Sequence, residues 1–373
     1  MARRVRAIED IGEALRREHP ELNAVRAASE DPVYLVGGAV RDLLLGLPRS
    51  DVDLVVVGDA AALAARLGAD PVEHERFATA KATLDGHEID IATARSETYA
   101  RPGALPEVEP AADIETDLAR RDFTINAIAL PLRGEPAPVD PFGGAADLEA
   151  GLLRALHERS FADDPTRAVR AARYAARFGF GLEPRTEELL RSADLETVSA
   201  DRRRSELLRL AGEDEAVRGF ELLADWGLIE PRPGGLALAA SVDELLAAPP
   251  WSGTAPRDAA LLAAAAGPAG GEEALAHESP DRPSRAVELA NGRDAVELLL
   301  ARALGAEWLD RYLERWRHVR LEIDGDDLIA AGVPQGPALG RGLQRALSRK
   351  LDGELDGRDE ELTVALEAAA EES

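Results

Sequence analysis

Cysteine is absent from the 373 residues, which excludes disulfide bonds and thiolate metal ligands. Its absence also favours a reducing compartment over a secreted, disulfide-linked scaffold. No apolar run reaches about 18 residues, so the sequence predicts no membrane span. Glu9 and Asp10 interrupt the first residues before an apolar segment can form, and we therefore expect no secretory signal. These absences predict a cytoplasmic protein without a membrane partner.

Lysine is nearly absent, because Lys81 and Lys350 are the only two among 44 basic residues. Against 70 acidic residues the net charge is −26, which by itself argues against a polyanionic partner. The charge is unevenly distributed, however: residues 165–211 contain ten Arg and seven acids, whereas residues 212–300 contain six Arg and sixteen acids. We interpret the acidic excess as a surface property, which does not exclude a nucleic-acid partner for the basic segment.

Short β-branched runs alternate with helical patterns over about the first 145 residues. Strands are predicted at 33–36, 52–57, 82–84 and 88–91, helices at 39–45 and 60–67, and a Pro-containing loop at 102–110. From about residue 148 the pattern is helical almost to the end. The sequence therefore predicts an α+β fold, with a mixed sheet and helices in an N-terminal head followed by an elongated all-helical remainder.

Two glycines and two aspartates form the first constellation that points to chemistry. Gly37 and Gly38 lie between a predicted strand and a predicted helix, and Asp51 and Asp53 occupy alternate positions at the next strand. Alternate strand side chains point to the same face, and neighbouring carboxylates repel each other without a cation. Mg²⁺ is typically held by one or two carboxylates together with substrate phosphates, which a glycine turn and a helix start can also approach. The constellation predicts a magnesium-dependent nucleotide site.

Five segments resemble, in order, the motifs of one known family. The first two are Tyr-Leu-Val-Gly-Gly-Ala-Val-Arg-Asp-Leu-Leu-Leu-Gly at 34–46 and Asp-Val-Asp at 51–53. The others are Arg-Arg-Asp-Phe-Thr-Ile-Asn-Ala at 120–127, Asp-Pro-Phe-Gly-Gly at 140–144 and Asp-Asp-Pro-Thr-Arg at 163–167. Together they resemble the class II tRNA nucleotidyltransferase and bacterial poly(A) polymerase family. Asp163 departs from the family pattern, which has Glu there, but it keeps the charge.

The resemblance implies a domain organisation and an activity. It implies a nucleotidyltransferase head over 1–145, a helical neck with base-templating residues over 146–211, a helical body over 212–320 and a tail that contacts tRNA over 321–373. The implied activity is addition of the 3′-terminal CCA of tRNA from CTP and ATP, without a nucleic-acid template and with release of pyrophosphate. Two Mg²⁺ ions are implied as cofactors, whereas no protein partner is implied.

The implied site residues fall into three sets. Asp51 and Asp53 would be catalytic metal ligands, with Asp90 on the neighbouring strand as a third candidate. The implied nucleotide-binding residues are Gly37, Gly38, Arg41, Arg121, Asp122, Asn126, Asp164, Arg167, Arg170 and Arg173. Arg341, Arg345, Arg349 and Lys350 form a basic helical stripe predicted to bind RNA.

Several alternatives stay open on the sequence. An A-adding enzyme partnered by a separate CC-adding enzyme and a poly(A) polymerase share the same motifs. Residues 102–106 resemble the flexible loop that family members use after CC addition, which disfavours an enzyme that adds only CC. The Arg-rich helix disfavours a small-molecule nucleotidyltransferase, and the intact Asp51 and Asp53 disfavour a silent RNA-binding scaffold. Trp308, Tyr312 and Trp316 recur every four residues, which favours core packing over base stacking.

Overall fold

The computed structural model describes residues 5–6, 11–48, 51–68, 79–134 and 137–371. Within this part the chain divides into two compact units, residues 1–228 and 229–373. The four domains implied by the sequence subdivide these units and stay a prediction. Most of the first ten residues, which underlie the expectation of no secretory signal, lie outside the described residues.

Unit 1 is built on a five-stranded mixed sheet with the strand order β3-β4-β2-β1-β7. Strands β2 and β4 run parallel, and the other neighbours are antiparallel. Before residue 132, the described ranges contain the strands β1 (Val33–Val36), β2 (Val52–Val56), β3 (Thr79–Leu84), β4 (His87–Thr93), β5 (Arg95–Thr98), β6 (Glu107–Pro110) and β7 (Ala129–Pro131). The four strands predicted from the sequence are confirmed within a few residues.

Side-chain alternation along β2 decides what the sheet presents to solvent. Val52 and Leu54 are buried in the core, whereas Asp53 between them is exposed.

The turn between β3 and β4 uses positive φ at both central residues, 50° at Asp85 and 81° at Gly86. This geometry matches the twist of two antiparallel strands and is typical of Asp-Gly pairs. Local sequence therefore determines this hairpin.

Strands β5, β6 and β7 were not predicted. The loop prediction for 102–110 is wrong at its end, because β6 pairs with β5 as a separate two-stranded hairpin. The partner strand satisfies the backbone of Glu107–Pro110, and Pro110 lies at the last position, where a missing N–H costs little. The short strand β7 pairs with β1 and extends the main sheet at its edge.

Helices fill the rest of unit 1, and the core runs without interruption from the sheet into them. The rings of Phe123 and Tyr174 meet edge-on at 6.0 Å, so the head and the long Arg-rich helix share one apolar cluster. Strands β8 (Leu152–Leu153) and β9 (Gly181–Leu182) form a short parallel pair that the helical pattern did not predict. The helices are α1 (Ile11–Glu18), α2 (Leu22–Ala28), α3 (Gly38–Leu45), α4 (Ala60–Arg66), α5 (Ile114–Ala119), α6 (Gly144–Ala150), α7 (Ser160–Asp163), α8 (Thr166–Phe178), α9 (Pro184–Leu190), α10 (Ala200–Ala211) and α11 (Ala216–Asp225).

The described residues of unit 2 contain helices, joined by turns and loops, and no strand. Its helices are α12 (Gly235–Leu246), α13 (Arg257–Ala266), α14 (Gly271–Ala276), α15 (Pro283–Ala290), α16 (Ala295–Ala303), α17 (Trp308–Glu314), α18 (Gly325–Ala330), α19 (Pro337–Leu351) and α20 (Arg358–Ala370). Ile323 and Leu328 form a separate apolar cluster with residues of α19 and α20. None of the helices in the described part of the chain is long and apolar enough to cross a membrane.

Trp308, Tyr312 and Trp316 are only partly buried, and the preference for core packing over base stacking stays a prediction. All three keep part of their surface accessible, whereas Leu309 and Leu313 on the same segment are buried. The leucines face the neighbouring helices, so the aromatic residues at four-residue spacing lie at the edge of the packed face.

Candidate active site

A cavity of about 780 Å³ opens on unit 1 between the sheet, the start of α3 and the first turns of α8. The structure brings most of the predicted site residues to its walls. Those that line it are Gly37, Gly38, Arg41, Asp51, Asp53, Asp90, Arg121, Asp122, Asn126, Asp164, Arg167 and Arg170. Arg173 does not line the cavity, and the four predicted tail residues lie in unit 2.

The carboxylates lie on neighbouring strands at one wall of the cavity. Asp53 of β2 is paired in register with Asp90 of β4, and Asp51 directly precedes β2. Protein groups around Asp53 reduce its hydration and raise its pKa; Arg121 opposes the shift, while repulsion from Asp90 and Asp51 adds to it. Lys81 Nζ lies 3.3 Å from Asp90 Oδ1 and offsets part of that charge. A cation beside Asp53 would relieve this repulsion, so the donor set fits a divalent metal ion.

The described residues contain no compact group of three or more metal-ligating side chains. Asp51, Asp53 and Asp90 therefore do not form a ready-made cage. A pair of carboxylates completed by substrate phosphates is the arrangement that Mg²⁺ commonly adopts. The role of Asp90 as a third ligand stays a prediction.

Gly37 forms the turn that joins β1 to α3. Its φ of 68° and ψ of −132° are accessible to glycine but not to other residues. A Cβ placed there would lie 2.9 Å from Arg121 Nη1, so a side chain would also collide with the opposite wall. No side chain caps the start of α3, and its first backbone N–H groups are available to an anion.

Asp122 is a buried anion held by three donors. Its Oδ1 accepts from Asn126 Nδ2 and from the Phe123 amide, both at 2.9 Å, and its Oδ2 accepts from Arg170 Nε at 2.8 Å. Burial alone would raise its pKa, but the Arg170 charge and the hydrogen bonds outweigh burial and lower the pKa to about 2. Asp122 therefore stays ionised and links the segment that follows α5 to α8.

Asp117 is a site residue that the sequence reasoning missed. It is fully buried beside the cavity and accepts hydrogen bonds from Arg120 at 2.8 Å and from Arg121 at 3.0 Å. Arg120 also pairs with Glu97 of β5 at 2.7 Å. Asp117 is therefore connected through Arg120 to the β5–β6 hairpin and through Arg121 to the wall beside Asp53. A signal was present: Asp117 precedes the two arginines by three and four residues, the spacing of helical ion pairs.

With the nucleotide site in this cavity, as the sequence predicts, we expect Asp117→Asn to raise the KM for the nucleoside triphosphate about tenfold, because a charged hydrogen bond contributes roughly 1.5–3 kcal/mol and Arg121 loses its anchor. Steady-state kinetics with CTP and ATP measure this change. Glu272→Gln is the matched control, since Glu272 is a similarly buried partner of Arg232 in unit 2. Equal KM values for the two variants would show that Asp117 only stabilises the fold.

The arginines of α8 have separate partners although they share one helix face. Arg167 is buried and donates to Ser160 Oγ at 2.9 Å and to the Arg120 carbonyl at 2.7 Å. Arg170 reaches Asp122, and Arg173 pairs with Glu206 and Glu213 of the following segment. Arg167 and Arg170 therefore face the cavity. Arg173 belongs to the packing between helices, and its nucleotide-binding role stays a prediction.

Arg41 is a buried cation against aromatic rings. Its guanidinium carbon lies 5.1 Å from the Tyr174 ring centre and 4.7 Å from that of Phe178. It donates to Asn126 Oδ1 at 2.7 Å and to Asp42 Oδ1 at 2.8 Å. Contacts of this kind anchor α3 to α8, so Arg41 supports the cavity wall that it lines.

The loop that joins β5 to β6 packs on the helices that follow the sheet. The Gly103 amide donates to the Asp163 carbonyl at 3.2 Å, and Arg202 Nη1 donates to the Gly103 carbonyl at 3.0 Å. Arg202 Nη2 also reaches Asp164 Oδ1 at 3.2 Å. One arginine of α10 therefore connects this loop to an acid that the sequence predicts to read the nucleotide base.

The predicted tail stripe is only partly available for RNA. Lys350 pairs with the buried Glu361, and Arg349 pairs with Glu354 at 2.7 Å. Arg341 and Arg345 on α19 are exposed, and Arg341 makes one long contact of 3.3 Å with a backbone carbonyl. An RNA contact by this stripe stays a prediction that now depends chiefly on Arg341 and Arg345.

An acidic strand pair facing arginines across a nucleotide-sized cavity defines an enzyme of the nucleotidyl-transferring class. Two family descriptions match the chain: the "Poly A polymerase head domain" over residues 33–154 and the "Probable RNA and SrmB-binding site of polymerase A" over residues 179–234.

Three known proteins illustrate the similarity. A CC-adding tRNA nucleotidyltransferase of Deinococcus radiodurans is 38% identical over 334 residues, which cover 85% of this chain and 84% of that protein. An A-adding tRNA nucleotidyltransferase of Halalkalibacterium halodurans is 44% identical over 208 residues; the match covers 52% of this chain and 48% of the relative, about half of its length. The structure of a Thermotoga maritima CCA-adding enzyme complexed with tRNA has a TM-score of 0.76 and 29% identity, covering 96% of this chain and 98% of that one. This chain belongs to the tRNA nucleotidyltransferase and poly(A) polymerase family.

Proposed function

We propose that this protein rebuilds the 3′-terminal CCA of tRNA, adding nucleotides from CTP and ATP without a nucleic-acid template and releasing pyrophosphate. The observation that carries this proposal is the single cavity that gathers the Asp51 and Asp53 carboxylates, the Gly37 turn and the arginines of α8. The similarity of nearly the whole chain to a CCA-adding enzyme supports it.

Each wall of the cavity has a task in this reaction. The Gly37–Gly38 turn and the start of α3 would bind the triphosphate through backbone N–H groups. Arg121, held by Asp117, would bind the sugar or phosphates beside them. Asp164 and Arg167 would present an acceptor and a donor to the base edge, which replaces a template strand.

Asp51 and Asp53 would hold divalent metal ions, and we propose two Mg²⁺. Bound there, the ions would activate the 3′-hydroxyl for in-line attack on the α-phosphate and neutralise the pyrophosphate. The protein's contribution is to hold two anionic side chains close together at a strand edge, with Arg121 limiting their repulsion.

A second candidate is addition of CC alone. It is favoured by the Deinococcus radiodurans relative, since the match covers 84% of its length. The β5–β6 loop argues against it, because this loop resembles the segment that the family uses for the A step. Addition of A alone and poly(A) synthesis are two further candidate activities, since enzymes that perform them share the same motifs.

Three tRNA transcripts separate these functions: one that ends before CCA, one that ends after the first C and one that ends after CC. The proposal expects labelled CTP to enter the first two and labelled ATP to enter the third and then stop. Incorporation of CTP without ATP would support addition of CC alone. ATP entry into the third transcript alone would support A addition, and unlimited ATP entry would support poly(A) synthesis.

We expect Gly103→Ala to reduce A addition to the CC-ending transcript about tenfold more than C addition. Gly103 has a φ of 70°, and a Cβ there would lie 2.5 Å from the Thr197 carbonyl oxygen, so the loop could not keep its contact with the helices. Gly86→Ala is the matched control, because Gly86 has a φ of 81° with no atom within 4 Å of the added Cβ. Equal losses in both steps would show that loop docking has no part in the A step.

The tRNA substrate would also meet unit 2, where Arg341 and Arg345 are the accessible part of the tail stripe. We propose that they contact the phosphate backbone. A cytoplasmic location, in which tRNA and both nucleotides are available, agrees with the absence of cysteine.

A further inference from the structure

Four exposed arginines lie together in unit 2, outside every segment that the sequence predicts to bind RNA. Arg311, Arg315, Arg317 and Arg320 all fall within ten residues that contain one acid, Glu314. We call this ten-residue segment the 311–320 surface. Its net charge is +3, whereas residues 229–373 as a whole carry 15 basic and 27 acidic residues. The 311–320 surface is therefore positively charged within a unit whose net charge is negative.

These arginines also differ from most other arginines of unit 2 in what they contact. Eight others lie within ion-pair distance of carboxylates: Arg232, Arg257, Arg282, Arg285, Arg293, Arg302, Arg349 and Arg358. Within the described chain, none of the four arginines of the 311–320 surface pairs with a carboxylate. Arg320 donates to the carbonyls of Arg317 and Val319, at 2.7 and 2.8 Å. In a chain with excess acid, this pattern leaves their charge available to a partner.

The backbone holds the 311–320 surface in a folded turn. Helix α17 ends at Glu314, and a 3₁₀ turn follows over Trp316–His318. The His318 ring nitrogen Nε2 lies 3.0 Å from the Leu313 carbonyl, and the buried Leu313 fixes the turn to the helices beneath it. The arginines therefore project from an ordered support, which reduces the entropy lost when they bind a ligand.

We propose that the 311–320 surface binds the phosphate backbone of the tRNA substrate; this inference rests on the proposed function. Guanidinium groups match phosphate oxygens in charge and geometry. The half-exposed rings of Tyr312 and Trp316 offer flat surfaces beside them. The surface has no exposed large aliphatic residue. The core of a protein interface is instead depleted of charge, so a polyanion fits better than a protein partner.

The test compares two double variants of the full-length protein. We expect R315Q/R317Q to weaken tRNA binding about tenfold at low salt and to lower the log–log salt slope by about one unit for each phosphate that is no longer bound. Fluorescence anisotropy of labelled tRNA over a salt series measures both quantities without requiring catalysis. R282Q/R285Q is the control, because it removes the same charge from two exposed arginines of unit 2 that have carboxylate neighbours.

Unchanged affinity and slope in R315Q/R317Q would overturn the proposal and favour an acidic protein as the partner of the surface. Equal weakening in the control would overturn it too, since net charge alone would then explain the effect. Thermal unfolding identifies a misfolded variant, in which case R311Q/R320Q is judged by the same criteria. Failure of the wild-type protein to extend any of the three transcripts would instead contradict the proposed function, and tRNA binding distinguishes that outcome.

Discussion

Replacing Asp53 with alanine is expected to lower nucleotide incorporation about 10³-fold or more while tRNA affinity changes little. In the proposed mechanism this carboxylate serves the metal-dependent step, whose stabilisation of transition-state charge is worth several kcal/mol, and about 1.4 kcal/mol corresponds to a tenfold change in rate. Asp53→Glu is expected to be poor as well, because Mg²⁺ requires nearly ideal octahedral distances. Single-turnover incorporation of labelled CTP and ATP, together with tRNA binding, measures both effects.

Two further variants sharpen this test. Asp51→Ala is expected to behave like Asp53→Ala, because the two residues flank Val52 at the same strand edge. Glu149→Ala is the control, since Glu149 is an exposed acid of α6 that does not line the cavity. Substantial incorporation by both aspartate variants would exclude the two-carboxylate mechanism.

The second large effect concerns the choice of nucleotide. We expect Arg167→Ala to reduce the preference for CTP and ATP over UTP and GTP by about ten- to a hundredfold, since a bidentate contact to a base edge contributes roughly 1–3 kcal/mol of discrimination. Arg167 is buried between Ser160 and the Arg120 carbonyl, so its guanidinium has a fixed direction in the cavity wall. Competition among the four labelled nucleotides measures the preference.

The control for this variant is Arg191→Ala, which removes an exposed arginine directly after α9 that pairs with Glu187. It is expected to leave the preference unchanged. An Arg167→Ala enzyme that is slower but equally selective would assign Arg167 to the packing between the Arg120 carbonyl and α8. Base selection would then depend on other residues of the cavity.

Local patterns were sufficient for the elements that depend on nearby residues. The strand before Gly37, the helix after it and the Asp85–Gly86 hairpin follow from alternation, glycine conformation and turn chemistry. Strands β6 and β7 could not be predicted in this way. Each is short, and each is stabilised by hydrogen bonds to a strand distant in sequence or across a long loop.

The candidate site shows the same division. The family resemblance implied the pocket residues from Gly37 to Arg170, because its motifs carry these residues at strand edges and helix starts. It did not predict the connections of Asp117 to Arg120 and Arg121, or of Arg202 to Gly103 and Asp164. The second connection joins side chains and backbone separated by as many as 99 residues. That long-range connection is decided by packing, whereas the spacing of Asp117 and the two arginines was a local signal.

By itself the sequence predicted the family, the α+β fold and the carboxylates proposed to hold the metal ions, since its motifs resemble those of the family and its elements follow short, regular spacings. The tertiary structure alone decided which charges are available. It pairs Arg173 with Glu206 and Glu213, and Lys350 with Glu361, while Arg315 and Arg317 remain without carboxylate partners in the described part of the chain. Formal charge can be counted along a chain, but the field that a ligand meets depends on which opposite charges lie within a few ångströms, and folding sets those distances.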